Sequence, residues 1–186
     1  MKERQAIVRL KRGDIGGLEP LVQQYQLQAV RAAFLVCRDR ALAEDIVQAA
    51  FLRTYERISQ FDDSRSFRPW FLRSVVNDAR KASIQRERLA PLEEMSPESE
   101  EYLISPEAAL DELMEARETS KAIENALDKL TPGQRTAIVL RYYLGLSESE
   151  MSANLGRPPG TIKWRLHVAR DSLRRLLPSW IRDSPD

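Results

Sequence analysis

One cysteine, Cys37, and one histidine, His167, in 186 residues rule out several kinds of chemistry. A lone thiol cannot close an internal disulfide, and no Cys cluster or His-based metal site can be assembled from so few ligands. Cys37 follows Phe34-Leu35-Val36, the setting of a small apolar side chain in a core. Glycine is scarce, at 7 residues, and no glycine-rich phosphate loop is present. No apolar run approaches the roughly 18 residues a membrane helix needs, and the N-terminus carries no secretory pattern. No stretch alternates apolar and polar residues over strand length. The expectation is a soluble, cytoplasmic, all-α protein with no cofactor, no metal and no membrane insertion. It is also expected not to be an enzyme, because the carboxylates concentrate in a segment ill-suited to holding geometry.

What the chain does have is an uneven distribution of charge. Hydrophobic residues make up 42% and charged residues 31%, with mean hydropathy −0.46 and net charge +1. Residues 1–85 carry 15 basic and 10 acidic side chains, residues 86–120 carry 3 and 11, and residues 121–186 carry 11 and 7. Two basic blocks thus flank an acidic one. Basic blocks suit phosphate backbones, whereas the acidic stretch is repelled by DNA and must sit elsewhere.

Helical periodicity recurs along the chain. Leu18, Val22, Tyr25, Ala29, Ala32, Ala33 and Val36 mark one buried stripe. A second helix runs from about Ala41 to Ser59, with Val47, Ala50, Phe51, Thr54 and Ile58 on one side. A third begins near Ser66, a cap candidate, tolerates Pro69 in its first turn and reaches about Arg86. The stretch from Ala90 to Glu101 contains two prolines and no helical stripe, and reads as an extended, flexible linker. Ser105-Pro106 then opens a helix reaching about Leu130. Thr131-Pro132-Gly133-Gln134 and Ser147-Glu148-Ser149-Glu150 have capping-box form. Gly156 to Gly160 makes a turn into a last helix from about Pro159 to Leu177. A short helix, a glycine-containing turn and a longer basic helix predict a helix-turn-helix.

Two helices carry surfaces suited to nucleic acid. In the last one Ile162, Leu166, Ala169 and Leu173 converge within roughly 60° as the buried face. Trp164, His167, Val168 and Asp171 lie opposite, flanked by Lys163, Arg170 and Arg174. Lys163, Trp164 and His167 are placed for the major groove, Arg165 and Arg170 for phosphates, and Thr161 for a phosphate at the helix N-terminus. The alternative for Trp164 is that it folds back on a neighbouring helix or meets a protein. In the third helix Phe71, Leu72, Val75, Val76 and Ala79 form the apolar face, leaving Trp70, Arg73, Asn77, Arg80 and Lys81 opposite. An aromatic plane beside an amide and cations suits single-stranded DNA, whose bases stack, accept hydrogen bonds and bring a phosphate chain. The plainer alternative is Trp70 as a domain-edge core residue. The preceding loop, Gln60 to Ser66 with Phe61 and Arg65, is positioned to form a pocket for a flipped-out base.

These residues resemble the extracytoplasmic-function group of the sigma-70 family. Ala43-Glu44-Asp45-Ile46-Val47-Gln48-Ala49-Ala50-Phe51-Leu52 is similar to that family's polymerase-binding helix. Phe67-Arg68-Pro69-Trp70-Phe71-Leu72, followed by Asn77, is similar to its promoter-melting helix. Leu127 to Pro132 with Arg135, and Gly160 to Leu166, resemble its C-terminal DNA-binding domain. The resemblance implies that Asp45, Gln48 and Leu52 meet the coiled coil of the largest subunit of core RNA polymerase. It implies that the third helix and its loop capture unpaired bases of the −10 element, and that the last helix reads the −35 duplex. It also implies an acidic linker threading the polymerase's basic cleft, and an anti-sigma protein as regulator. No sensory domain is expected after Asp186. Ala49 stands where the family usually has an acidic residue. Trp164 and Val168 stand where polar residues are common, so no −35 preference transfers.

The reading is therefore of a region-2-like domain over 1–88, an acidic linker over 89–117 and a region-4-like helix-turn-helix domain over 118–182. The alternative is a helix-turn-helix regulator that binds duplex DNA as a dimer without acting as a polymerase subunit. It leaves the Asp45/Gln48 and Trp70/Asn77 faces unused.

Overall fold

The computed structural model describes residues 2–89 and 110–182, with side chains over 3–89 and 117–181. The flexible-linker reading of Ala90 to Glu101 and the Ser105-Pro106 cap lie outside the described residues. Among the described residues every regular element is helical. Two compact units form, Met1–Ala82 and Ser83–Asp186.

The first unit contains α1 (Lys2–Lys11), a 3-10 turn (Ile15–Gly17), α2 (Leu18–Cys37), α3 (Arg40–Arg57), a second 3-10 turn (Ile58–Gln60) and most of α4 (Phe67–Leu89). Arg38 ends α2 in the left-handed conformation at φ 55, with its guanidinium 4.4 Å from the Phe34 ring centroid. The Asp39 side chain then accepts from the Leu42 N–H at 2.8 Å and starts α3. So short a link makes α2 and α3 a helical hairpin, held by Tyr25, Ala29, Ala32, Ala33 and Val36 on one side and Val47, Ala50, Phe51 and Thr54 on the other, all buried. Leu18 and Val22, predicted for the same stripe, are half-buried. Phe67, Phe71, Leu72, Val75, Val76 and Ala79 complete the core from α4. Its centre is aromatic: Phe71 lies 4.5 Å from Phe51 and 5.6 Å from Phe67, and Tyr25 lies 5.6 Å from Phe67.

α1 was not visible in the sequence. It buries Ala6, Ile7 and Leu10, and the following turn presses close: a Cβ at Gly17 would stand 2.5 Å from the Ala6 carbonyl oxygen, so only glycine fits there. The Tyr25 hydroxyl hydrogen-bonds the Glu3 carboxylate, and burial together with that partner pushes its ionisation upward.

The second unit holds α5 (Leu110–Asp128), α6 (Pro132–Ile138) running into a π turn (Val139–Tyr143), α7 (Glu148–Leu155), α8 (Pro159–Leu176) and α9 (Ser179–Arg182). Both predicted capping boxes form, Thr131 with Gln134 and Ser147 with Glu150. Arg135, 7% exposed, donates to the Leu130 carbonyl at 2.8 Å and closes the end of α5. Gly156 ends α7 at φ 59, and Pro158-Pro159 starts α8. Ile162, Leu166 and Ala169 are buried against a core of Leu127, Leu130, Ala137, Leu140, Leu146 and Met151, whereas Leu173, predicted for the same face, is half-buried near the end of α8. The helix-turn-helix is thus α7, a three-residue turn and α8.

Candidate nucleic-acid interface

Trp70, Asn77 and Lys81 are nearly in line on α4, with Arg73 and Arg80 one step round the same side. Lys81 is exposed, and the other four are half-buried. The Trp70 ring packs 5.2 Å from Phe61 and 5.6 Å from Phe67, so it stands at the rim of the aromatic core. Asp78 lies among these cations, 2.9 Å from Arg53 of α3 and 3.8 Å from Lys81. It joins α3 to α4 and partly offsets the positive charge of the face.

Phe61 is not a surface residue, as the loop reading expects. It is 3% exposed, with its ring 5.7 Å from Phe67 as well as against Trp70. The 3-10 turn hands the chain to Phe61 in extended conformation, turning the ring inward. Burying a phenyl ring stabilises by about 2 kcal/mol, more than exposure offers. Phe61 therefore supports Trp70 from below. Beyond it, Asp62 Oδ1 accepts from the Ser64 backbone N–H at 3.0 Å and the Ser64 hydroxyl at 2.7 Å. Arg65 is exposed, 3.3 Å from Asp62 Oδ2. The Ser64 hydroxyl, its N–H and Arg65 hold the Asp62 carboxyl below the usual carboxylate range.

On α3, Asp45, Gln48 and Leu52 are all exposed and within one-third of a turn of each other, opposite the Val47/Ala50/Thr54 stripe. Leu52 exposes 58% of its surface. The neighbouring Glu44 is engaged by Arg40 at 3.0 Å.

α8 presents Lys163, Trp164, His167 and Arg170 outward, all exposed. Trp164 is 64% exposed, so it does not fold back on a neighbouring helix. Arg170 Nε donates to the Leu166 carbonyl at 3.2 Å. Arg165 and Thr161 are half-buried. A Cβ at Gly133 would stand 3.8 Å from the Arg165 guanidinium, which places Arg165 beside the first turn of α6. Asp171 pairs with Arg175 at 2.9 Å, which reduces its repulsion of phosphate. Among the described residues no group of three or more His, Cys, Asp or Glu side chains is placed to hold a metal. No described helix is long and apolar enough to cross a membrane.

Sequence reasoning missed the contribution of α1 to the 61–66 loop. Lys11 Nζ donates to the Phe61 carbonyl at 2.9 Å and pairs with Asp63 at 2.9 Å, and the Tyr55 hydroxyl donates to the Gly13 carbonyl at 2.9 Å. Partners 42 and 50 residues apart leave no local signal.

Residues 21–88 match the family "Sigma-70 region 2" and residues 120–173 match "Sigma-70, region 4". The chain is 30% identical to the RNA polymerase sigma-E factor of Streptomyces coelicolor, over 89% of this chain and 88% of that one. It is 29% identical to the ECF RNA polymerase sigma factor SigW of Bacillus subtilis, over 95% of this chain and 97% of that one. In fold it is similar to the sigma factor RpoE of Bartonella quintana, solved in complex with the anti-sigma factor NepR, with TM-score 0.62 and 22% identity over 90% of this chain and 99% of that one. Two helical units carrying regions 2 and 4 in order, and relatives matched over nearly their whole length, make this chain a member of the sigma-70 family, in its extracytoplasmic-function group.

Proposed function

We propose that the chain joins bacterial core RNA polymerase through Asp45, Gln48 and Leu52, opens the −10 element on α4 and its loop, and reads the −35 duplex with α8. The observation that carries this reading is that each unit offers a tryptophan beside cations, Trp70 half-buried at the core rim and Trp164 64% exposed, on the helices that sequence similarity assigns to regions 2 and 4. In the first unit Trp70 supplies a stacking plane, Asn77 an amide for a base edge, and Arg65, Arg73, Arg80 and Lys81 the cations for a single strand. In the second, Lys163, Trp164 and His167 face the groove, and Thr161, Arg165 and Arg170 serve phosphates. Residues 1–88 and 118–182 are the two working domains. Residues 89–117, lying in the acidic part of the chain, suit a basic channel of the polymerase better than DNA. A partner in the cytoplasm is implied by the polymerase itself. An anti-sigma protein is proposed by likeness to RpoE, whose solved complex contains one. Bond-making belongs to the polymerase, since this family consists of initiation factors.

The purified chain mixed with bacterial core RNA polymerase should co-elute as a stoichiometric complex and start RNA at discrete sites on genomic DNA. Tight binding to duplex DNA by the chain alone, without a polymerase complex, would instead favour a simple helix-turn-helix regulator.

A further inference from the structure

Lys11 ends α1, yet its ammonium group works 50 residues along the chain. It donates to the Phe61 carbonyl and pairs with Asp63 Oδ1, both at 2.9 Å, with only 28% of the side chain exposed. One cation thus fixes the first residue of the 61–66 loop and the carboxylate two residues on. The Tyr55–Gly13 hydrogen bond holds the chain just after α1, where Gly13 has φ +83. Within the loop Asp62 staples Ser64 and Arg65. Its first half, Phe61 to Asp63, is therefore held from α1, while Ser64, Arg65 and Ser66 stay exposed. Charge points the same way. Asp62 and Asp63 stand beside a face read as taking DNA, and an unneutralised carboxylate repels phosphate within a Debye length of about 10 Å at moderate salt. Arg65 faces Asp62, and Lys11 faces Asp63.

We propose that Lys11 is a positioning residue for base capture: it holds the α3–α4 loop in its competent shape and cancels the Asp63 charge, so that α1 sets how stringently an unpaired base is chosen. The region 2 match begins only at residue 21, so nothing in that similarity assigns α1 this task. The inference rests on the reading of α4 and its loop as the single-strand surface.

The test uses holoenzyme, made with bacterial core polymerase, and fork-junction DNA whose unpaired segment is randomised. Wild type should enrich particular bases. Lys11→Met should lower that enrichment about tenfold, as for a loop in its competent shape a tenth of the time. Core-polymerase affinity should be unchanged, and the uncovered Asp63 charge should add only a small, salt-dependent loss of DNA affinity that is the same for every sequence. Lys11→Arg should restore most of the selectivity. Asp63→Asn should lower it in part, and the Lys11→Met/Asp63→Asn pair should be no worse than Lys11→Met alone. Equal enrichment by Lys11→Met and wild type overturns the role of Lys11 and leaves base capture standing. A uniform loss over all sequences with enrichment kept, persisting in the Lys11→Met/Asp63→Asn pair where the Asp63 charge is gone, makes Lys11 a phosphate contact and overturns the proposal. Wild-type binding without enrichment removes base capture and this inference with it. Should Lys11→Met fail to fold, unchanged enrichment in Asp63→Asn overturns the ion-pair role.

Discussion

Leu52 leaves 58% of its surface in water on the same side of α3 as Asp45 and Gln48, and that exposure carries an energetic consequence. A leucine so placed contributes little to folding, since exposed substitutions usually stay within about 0.5 kcal/mol. At a protein interface the same side chain contributes about 1–2 kcal/mol on burial. Replacing Gln48 and Leu52 together with alanine should therefore weaken core-polymerase binding by about tenfold or more, with the urea midpoint of the free chain unchanged. A fluorescence titration against core polymerase reads the first, and circular dichroism the second. Asn77 makes a different prediction, because an amide in line with Trp70 on α4, in the role proposed for it, should matter only once bases are unpaired. Asn77→Ala should lower permanganate reactivity of promoter thymines several-fold while closed-complex retention on a filter stays near wild type. Equal strand opening would remove Asn77 from base capture.

At the scale of the element, Arg135 shows how a motif residue serves the fold. Arg135 is 7% exposed, and its guanidinium donates to the Leu130 carbonyl at 2.8 Å. Arg135→Met keeps the stem but leaves a buried carbonyl at the end of α5 unpaired. The expected cost is about 1–3 kcal/mol, read as a lower urea midpoint. Such local chemistry was legible in the sequence. The capping boxes at Thr131 and Ser147, the Gly156 turn and the α8 stripe of Ile162, Leu166 and Ala169 all lie within a few residues of what they determine. α1 was illegible because ten residues with Ala6, Ile7 and Leu10 buried give a short stripe, and its anchoring ties are to Phe61, Asp63 and Tyr55. Two of the three tryptophans show the same boundary. Periodicity puts both Trp70 and Trp164 on outward faces, yet Trp70 rests on Phe61 and Phe67 while Trp164 is 64% exposed. The difference comes from a loop whose course no helical period encodes.

Across the whole molecule, the charges divide into 15 basic against 10 acidic side chains in residues 1–85, 3 against 11 in residues 86–120, and 11 against 7 in residues 121–186. Two basic blocks covalently joined to an anionic segment should compete with it for a phosphate chain, because the segment adds tethered negative charge to the same molecule. That competition should make the free chain a weak duplex binder and, on the function proposed, leave specific binding to the assembly with polymerase. Changing Glu93, Glu94, Glu98, Glu100 and Glu101 to glutamine removes five negative charges and takes the formal net charge from +1 to +6. Non-specific affinity of the free chain for duplex DNA should then rise roughly tenfold at low salt. The gain should shrink toward nothing near 1 M salt, where the Debye length is only about 3 Å. Fluorescence anisotropy with a mixed-sequence duplex at a series of salt concentrations measures both. A gain that persists at high salt would mean that the glutamates act by something other than charge. No gain at low salt would mean that the acidic block does not oppose the basic ones, and any weakness of the free chain toward DNA would then have to arise within α4 and α8 themselves.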